Sequence, residues 1–206
     1  MRVFLFDLDG TLIDSAEDIA LSLRLTLEEI GKADRMPPDV RALVGGGIRV
    51  LLEKVLGEEF REEYAEVFRR HYLSNPVVRT RPYEGIPEVL RELRERGRRL
   101  VVVTNKLEDL SKEILRRLDL LDLFDLIVGG DTFPEKKPSP LPLLEALRIL
   151  GEHPENAVMV GDTSTDVHAG LSAGTRTALA LWGYAKPDNL KPDFFLQRPL
   201  DILSLA

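Results

Sequence analysis

Five short apolar runs, rich in β-branched residues and leucine, constrain the fold of this chain more than any other feature. They are VFLF at 3–6, LVVV at 100–103, LIV at 126–128, AVMV at 157–160 and TALAL at 177–181. Their length and composition predict β-strands. The later runs are separated by segments with leucines three and four residues apart, which is typical of amphipathic helices. Strands alternating with helices predict an α/β fold with a parallel sheet covered by helices on both faces.

The stretch between the first two predicted strands is different, because it contains helical patterns and no convincing strand. We therefore predict an inserted helical domain at residues 15–80 and a core formed by residues 1–14 and 81–206. Pro76 and Pro82 mark the return to the core. The helices predicted within the insertion cover residues 16–30, 38–44, 48–56 and 58–74. The tail adds a predicted short strand at FFL and a brief helix.

Composition excludes several classes of protein. The chain has 206 residues, of which 44% are hydrophobic and 31% charged, and no segment reaches the roughly 20 apolar residues of a membrane span. A net charge of −7 argues against a broad nucleic-acid surface. Without cysteine, any metal must be held by oxygen or imidazole. The apolar run of MRVFLFDLDG is too short for a signal peptide, so we expect a cytoplasmic location.

A polar cluster directly follows several of the predicted strands. DLDGT follows the first, TNK the second and GDTSTD the fourth. The carboxyl ends of parallel strands share one edge of a sheet, so these clusters should converge. Asp7 and Asp9, followed by Gly10 in a sharp turn, would then meet Asp162. Bunched carboxylates repel each other unless a hard cation lies between them, and the sequence therefore predicts a Mg²⁺ site.

Each cluster taken alone also fits a purely structural interpretation. Asp and Gly are common turn residues, so DxDG by itself is a weak signal. Thr104 and Asn105 fit the cap of a helix starting near Leu107. KKPSP fits a solvated pair of lysines before a helix, and GDTSTD fits a strand-to-helix turn capped by Thr163 or Ser164.

Taken in order, DLDGT, TNK, KKP and GDTSTD resemble the four signature motifs of the haloacid dehalogenase superfamily, in its phosphatase branch. The resemblance covers the whole chain and implies a Rossmann-like core with a small helical cap. Longer stretches, VRALVGGGIRVLLEKVL and VGGDTFPEKKPSPLPLLEALRILG, resemble phosphoglycolate phosphatases. Phosphatases of sugar phosphates, pyrophosphate and nucleotides share much of this pattern, so the substrate stays open. A phosphomutase similar to β-phosphoglucomutase also stays open.

The resemblance implies a role for each motif residue. Asp7 would attack phosphorus and form an aspartyl phosphate, while Asp9 would protonate the leaving oxygen and later activate water. Thr104 and Asn105 would hold phosphoryl oxygens. Lys137 would neutralise the charge shared by the phosphate and the nucleophile.

The resemblance also implies the ligands of the metal. Mg²⁺ would be held by the Asp7 carboxylate, the Asp9 carbonyl and Asp162, with Asp166 either in direct contact with the ion or one step further away.

Other residues near the motifs are weaker candidates. Gly10 and Thr11 are candidate substrate-binding residues, and we expect Thr11 to orient Asp9. Lys106 is expected to be a surface or positioning residue. Arg49 is a candidate for binding a substrate carboxylate.

The run of three glycines at 45–47 precedes a predicted helix. It fits either an anion-binding turn at the helix N-terminus or a flexible joint that lets the insertion approach the core.

Two other classes of function compete with a phosphatase. A receiver-like signalling module also accepts phosphate on clustered acids, but it is shorter and carries its acceptor later in the sheet. A non-catalytic scaffold would not need every reactive group to be present. We expect a small phosphorylated metabolite as the partner, no nucleic acid, no membrane, and a monomer or small homo-oligomer.

Overall fold

The strands form where the sequence has its short apolar runs. The computed structural model of the chain describes residues 1–185 and 190–206. Its strands are β1 (Val3–Phe6), β2 (Ile13–Asp14), β3 (Arg81–Pro82), β4 (Arg99–Val103), β5 (Leu126–Val128), β6 (Ala157–Gly161), β7 (Arg176–Ala180) and β8 (Phe194–Leu196). Its α-helices are α1 (Ala16–Glu29), α2 (Ile48–Leu56), α3 (Glu63–Ser74), α4 (Ile86–Glu95), α5 (Glu108–Arg117), α6 (Leu141–Leu150) and α7 (Ser164–Ala173). Short 3₁₀ helices lie at Ala33–Arg35, Arg41–Leu43, Gly57–Glu59, Leu121–Leu123, Pro154–Asn156 and Pro199–Leu205.

Six strands form one parallel sheet in the order β5-β4-β1-β6-β7-β8. β1 lies between β4 and β6, and Leu5 is in register with Val101 on one side and Met159 on the other. Side chains on one sheet face pack with α4 and α5, and those on the other face pack with α6 and α7. All four residues of β1 are buried, as expected for a strand covered on both faces. The predicted α/β fold is confirmed.

The strand order places the polar clusters together. From β1 the chain moves outward through β4 and β5, then returns to the other side of β1 with β6. The loops that follow β1 and β6 therefore lie at the point where the order reverses, the usual place for a ligand in such a sheet.

The insertion is helical and leaves the core through a small antiparallel pair. β2 and β3 pair Ile13 with Pro82 and Asp14 with Arg81, so the two ends of the insertion lie side by side. Within it, α1 and α2 both pack against α3. The division at residues 14/15 and 80/81 agrees with this pairing and stays a prediction.

Two of the helices predicted in the insertion need correction. The helix predicted at 38–44 is wrong: only the 3₁₀ turn Arg41–Leu43 forms there, and Val44 after it is extended. The helix predicted at 58–74 begins later, because Phe60 is extended between the 3₁₀ turn Gly57–Glu59 and α3. The strands β2 and β3 were not predicted, since two residues are too few to show an alternating pattern.

A buried aspartate fastens the end of the insertion to its first helix. The Asp18 carboxylate of α1 accepts hydrogen bonds from the backbone N–H groups of Val78, Arg79 and Thr80, at 2.8–3.0 Å, and from the Thr80 hydroxyl at 2.6 Å. Desolvation acts to raise the pKa of Asp18, but these hydrogen bonds outweigh it and hold that pKa below its ordinary value. Asp18 is therefore an anionic clamp on residues 78–80.

No α-helix in the described parts of the chain combines the length and the apolar character needed to cross a bilayer.

Candidate active site

The first polar loop is folded tightly against the end of β6. The Leu8 carbonyl accepts N–H groups from Thr11, Leu12 and Ile13, which turns the chain back immediately after β1. Gly10 has a φ of +83°, and a Cβ there would lie 2.4 Å from Asp162 Oδ2. Only glycine fits this position, so the DxDG turn brings the loops after β1 and β6 into contact.

Two carboxylates from these loops and a third from the first turn of α7 form a buried cluster. Asp7, Asp162 and Asp166 each offer an oxygen within 4.8 Å of the others. Desolvation raises the pKa of Asp7 to about 8, although Lys137 opposes the shift. Desolvation and the nearby Asp166 raise the pKa of Asp162 to about 7. Buried carboxylates this close are costly without a cation, and an all-oxygen donor set suits Mg²⁺, so these residues fit the predicted metal.

Lys137 lies beside the acidic cluster and is almost completely buried. Its Nζ is 3.0 Å from Asp7 Oδ1 and 2.6 Å from Asp166 Oδ1. Desolvation acts to lower the pKa of Lys137, but the two carboxylates outweigh it and raise that pKa above its ordinary value. The KKP lysine is therefore a buried cation in contact with Asp7, and the interpretation as a solvated pair does not hold for Lys137.

Asp166 caps the start of helix α7 as well as belonging to the acidic cluster. Its Oδ2 accepts the Thr163 N–H at 3.0 Å and the Thr163 hydroxyl at 2.7 Å, which forms a capping box at the start of α7. The structural interpretation of GDTSTD and the metal-site interpretation are both compatible with this geometry.

Thr11 contacts a different aspartate from the one expected. Its hydroxyl donates to Asp162 Oδ1 at 3.1 Å, and the Tyr184 N–H donates to Asp162 Oδ2 at 2.8 Å. Asp9 is instead held by the Ser15 hydroxyl, which donates to its Oδ1, and by Lys106. The expectation that Thr11 orients Asp9 is replaced by a role in orienting Asp162.

Lys106 is buried, so the expectation of a surface position is wrong. Its Nζ lies 3.1 Å from Asp9 Oδ2, 3.0 Å from the Tyr72 hydroxyl and 4.3 Å from the centre of the Tyr72 ring. Desolvation acts to lower the pKa of Lys106, but Asp9 and Tyr72 outweigh it and raise that pKa above its ordinary value. Lys106 thus joins the loop after β4 to both the DxDG loop and helix α3.

Thr104 and Asn105 do not cap α5, because the capping position is Leu107 and the N–H of Glu108 at the helix start donates to Asp131 Oδ1 at 2.8 Å. The Thr104 hydroxyl accepts the Lys106 N–H at 3.2 Å. Asn105 Nδ2 donates to the carbonyls of Gly45 and Lys137, at 2.9 and 3.0 Å. The Asn105 amide therefore links the loop after β4 to the insertion and to the KKP loop.

Comparison with known proteins decides the family. A model of the haloacid dehalogenase-like hydrolase family matches residues 4–180. The chain belongs to this family. It is 62% identical to a phosphoglycolate phosphatase of Aquifex aeolicus over 205 residues, covering all of this chain and 96% of that protein. It is 39% identical to a phosphoglycolate phosphatase of Neisseria meningitidis, covering 93% of this chain and 87% of that protein.

Solved structures show the same fold. A crystal structure of a "predicted phosphoglycolate phosphatase" from Haemophilus somnus matches with a TM-score of 0.88 and 31% identity, covering all of this chain and 97% of that one. A haloacid dehalogenase-like hydrolase from Streptococcus pneumoniae matches with a TM-score of 0.86 and 26% identity, covering all of this chain and 98% of that one. The predicted likeness to phosphoglycolate phosphatases is confirmed, and with it the prediction of an enzyme of the phosphatase class.

In this haloacid dehalogenase-like hydrolase, the three glycines at 45–47 pack directly against the core. A Cβ on Gly47, which has a φ of +84°, would lie 2.7 Å from the Asn105 carbonyl oxygen. The carbonyls of Gly45 and Gly46 accept hydrogen bonds from Asn105 and from Lys136 Nζ. Carbonyls rather than N–H groups face these donors, which favours the joint between insertion and core over the anion-binding turn.

Arg49 is not brought to the site. Its guanidinium pairs with Glu53 at 2.8 Å and Glu62 at 3.0 Å, and it lies over the Phe60 ring. The side chain is 58% exposed, and it does not line the cavity above Asp7.

The cavity above Asp7 lies between the core loops and the insertion. Its core side is formed by Asp7, Asp9, residues 104–106 and Leu110, and its other side by apolar residues and two glycines of the insertion together with Tyr72. Tyr72, Ser15 and Tyr184 contact the functional groups but were not predicted from the sequence. They lie outside the four motifs, and their positions depend on how distant segments pack.

Proposed function

We propose that this chain is a Mg²⁺-dependent phosphatase that hydrolyses 2-phosphoglycolate through a phosphorylated Asp7. The observation that carries the proposal is the contact of Asp7 with a buried lysine and two further buried carboxylates beneath a cavity. The full-length likeness to curated phosphoglycolate phosphatases supports the substrate.

The residues of the chain divide the reaction between them. Asp7 is the nucleophile, and Lys137 in contact with its carboxylate offsets negative charge as a phosphoryl group approaches. Asp9, held by Ser15 and Lys106 at the edge of the same cavity, is the group that carries the proton to the leaving oxygen and later takes one from water. Two displacements replace one difficult step.

Asp7, Asp162 and the Asp9 carbonyl are the proposed ligands of Mg²⁺, with Asp166 beside them. When bound, the ion supplies positive charge that offsets the charge on the phosphate. Thr11 and Tyr184 hold Asp162 in place for this role. Thr104 and the backbone of Asn105 are proposed to hold phosphoryl oxygens.

The helical insertion at residues 15–80 is proposed to act as a cap that excludes water and selects the leaving group. Its apolar side chains cover the acids of the core loops, so a bound phosphate ester would react away from bulk solvent. A cytoplasmic location and a monomer or small homo-oligomer stay predictions from the sequence.

One panel of assays tests the proposal. Phosphate release from 2-phosphoglycolate, glucose phosphates, pyrophosphate and a nucleoside monophosphate is compared as kcat/KM, each with Mg²⁺ and with EDTA. We expect 2-phosphoglycolate to be the best substrate and EDTA to abolish turnover of every substrate. A sugar phosphate, pyrophosphate or nucleotide hydrolysed more efficiently would reject the substrate, whereas full activity in EDTA would reject the metal.

A further inference from the structure

The cavity above Asp7 contains one isolated positive charge. Apart from the acids and the polar groups of residues 104–106, its wall is largely apolar and includes Ile19, Leu51, Phe68 and Leu110. Among the described residues that line this cavity, Lys106 is the one basic side chain. Lys137, the other buried lysine of the site, contacts Asp7 and Asp166 and does not line the cavity.

Within the described residues, Lys106 and Tyr72 each have a hydrogen-bond donor that is not used. An ammonium group has three N–H donors, and Asp9 and the Tyr72 hydroxyl take two of those of Lys106. The Tyr72 hydroxyl accepts from Lys106, and within the described residues its own proton has no acceptor. Burial raises the pKa of Tyr72 to about 12, although Lys106 opposes the shift, so this hydroxyl keeps its proton at neutral pH.

The two groups come from different parts of the chain. Lys106 follows β4 in the core, whereas Tyr72 is on helix α3 of the insertion and is held edge-on against Phe68, with ring centres 5.8 Å apart. A pair of donors formed in this way exists only when the insertion is seated on the core.

We propose that Lys106 Nζ and the Tyr72 hydroxyl bind the carboxylate of the leaving group, so that this pair selects phosphorylated hydroxy acids. The inference rests on the proposed function and names the residues that set its substrate class. A carboxylate entering an apolar cavity loses its hydration and binds only where a charge and hydrogen bonds replace it, and this pair supplies both.

The position of Lys106 also suits the reaction. It lies 3.1 Å from Asp9, the group proposed to protonate the leaving oxygen. Once Asp9 has given up its proton, an ammonium in contact with it and with the carboxylate of the leaving group reduces the repulsion between the two anions. A neutral leaving group gains nothing from this charge, so the site discriminates against it.

The test compares two substrates that differ only in the carboxylate. The value of kcat/KM is measured for 2-phosphoglycolate and for 2-hydroxyethyl phosphate, in which a hydroxymethyl group replaces the carboxylate. Their ratio is determined for the wild type, Tyr72→Phe and Lys106→Met. We expect the ratio to fall about 10-fold in Tyr72→Phe and about 100-fold in Lys106→Met, as for loss of one neutral and one charge-assisted hydrogen bond.

The ratio separates substrate binding from an indirect effect through Asp9. Asp9 would serve both substrates, so a change in its position lowers both rates and leaves the ratio unchanged. Tyr64→Phe is the matched control: it removes the same hydroxyl from the same helix at a residue that does not line the cavity. Tyr72→Phe keeps the ring against Phe68, so it remains informative if Lys106→Met does not fold.

A second readout is competitive inhibition by glycolate, which carries the carboxylate without the phosphate. We expect its inhibition constant to rise in Tyr72→Phe and in Lys106→Met but not in Tyr64→Phe. If the wild type prefers 2-phosphoglycolate and both cavity variants keep the wild-type ratio of kcat/KM values, the inference about Lys106 and Tyr72 is overturned and the proposed function is not. A wild type without that preference would overturn the proposed function as well.

Discussion

The two sides of the cavity are built in different ways. On the acidic side, Asp7 and Asp162 directly follow adjacent strands of one sheet, and Asp166 lies in the first turn of helix α7, which comes after the second of these strands. On the insertion side, Tyr72 and Leu51 come from separate helices and reach the cavity through packing. The acidic side therefore depends on sheet topology, whereas the insertion side depends on how helices are seated against the core.

Three kinds of mutational effect are therefore expected. A change on the acidic side should affect every phosphate ester alike, because the phosphoryl group is common to all of them. A change on the insertion side should alter the ratio of the rates for different esters, because these esters differ only in the leaving group. A change in the Asp18 clamp, which lies within the insertion and away from the cavity, should affect stability more than chemistry.

The largest effect is expected for Asp7→Asn. Asparagine keeps the size of the side chain but is no nucleophile, so we expect kcat to fall by at least about 10⁴-fold for every substrate. Phosphate release from 2-phosphoglycolate and from 2-hydroxyethyl phosphate measures the loss, and circular dichroism checks the fold. Asp122→Asn, an exposed aspartate in a 3₁₀ turn away from the cavity, is the control. Equal turnover in Asp7→Asn and the wild type would remove Asp7 as the nucleophile.

An intermediate effect is expected at the Asp18 clamp, which joins the first helix of the insertion to residues 78–80 at its end. Asp18→Asn replaces an anion that accepts three N–H groups and one hydroxyl, so we expect a loss of about 2 kcal/mol in the free energy of unfolding at pH 7. Urea unfolding measures this loss. The kcat of the folded variant should remain close to that of the wild type, because Asp18 does not line the cavity.

The loss of stability caused by Asp18→Asn should depend on pH. The pKa of Asp18 is held below its ordinary value of 3.8, so the unfolded state binds the proton more readily than the folded state. The stabilisation is complete above that ordinary value and is lost as the pH falls through the lower folded pKa. The difference in unfolding free energy between wild type and Asp18→Asn should therefore shrink in acid. A difference that stays constant from neutral pH into strong acid would show that the charge of Asp18 contributes nothing.

The same contrast explains how much could be predicted from the sequence. Apolar runs of three to five residues were enough to locate the strands of the main sheet, because strands buried on both faces are apolar throughout. The convergence of Asp7 with Asp162 followed from topology alone. β2 and β3 could not be predicted in the same way, since two residues show no alternating pattern. The helix expected at 38–44 is replaced by the 3₁₀ turn Arg41–Leu43 followed by extended Val44.

Lys106 and Tyr72 show why the rest of the site needed a structure. Lys106 directly follows the TN pair, yet nothing in its neighbours shows that its side chain turns inward to Asp9. Tyr72 lies 34 residues earlier in the chain and reaches Lys106 only because α3 folds over the loop after β4. Arg49 had the charge expected of a carboxylate-binding residue, but two glutamates of the insertion hold it elsewhere.

The smallest effect is expected for Arg49→Gln, and it sharpens the contrast between Arg49 and Lys106. The guanidinium is largely exposed and paired with glutamates, so we expect less than about a 2-fold change in the Michaelis constant for 2-phosphoglycolate and little change in stability. Steady-state kinetics on 2-phosphoglycolate and 2-hydroxyethyl phosphate, run beside Lys106→Met, measures the first, and urea unfolding measures the second. A much weaker apparent affinity, by about 10-fold or more and confined to 2-phosphoglycolate, would place the carboxylate at Arg49 and require α2 to turn toward the cavity when substrate binds.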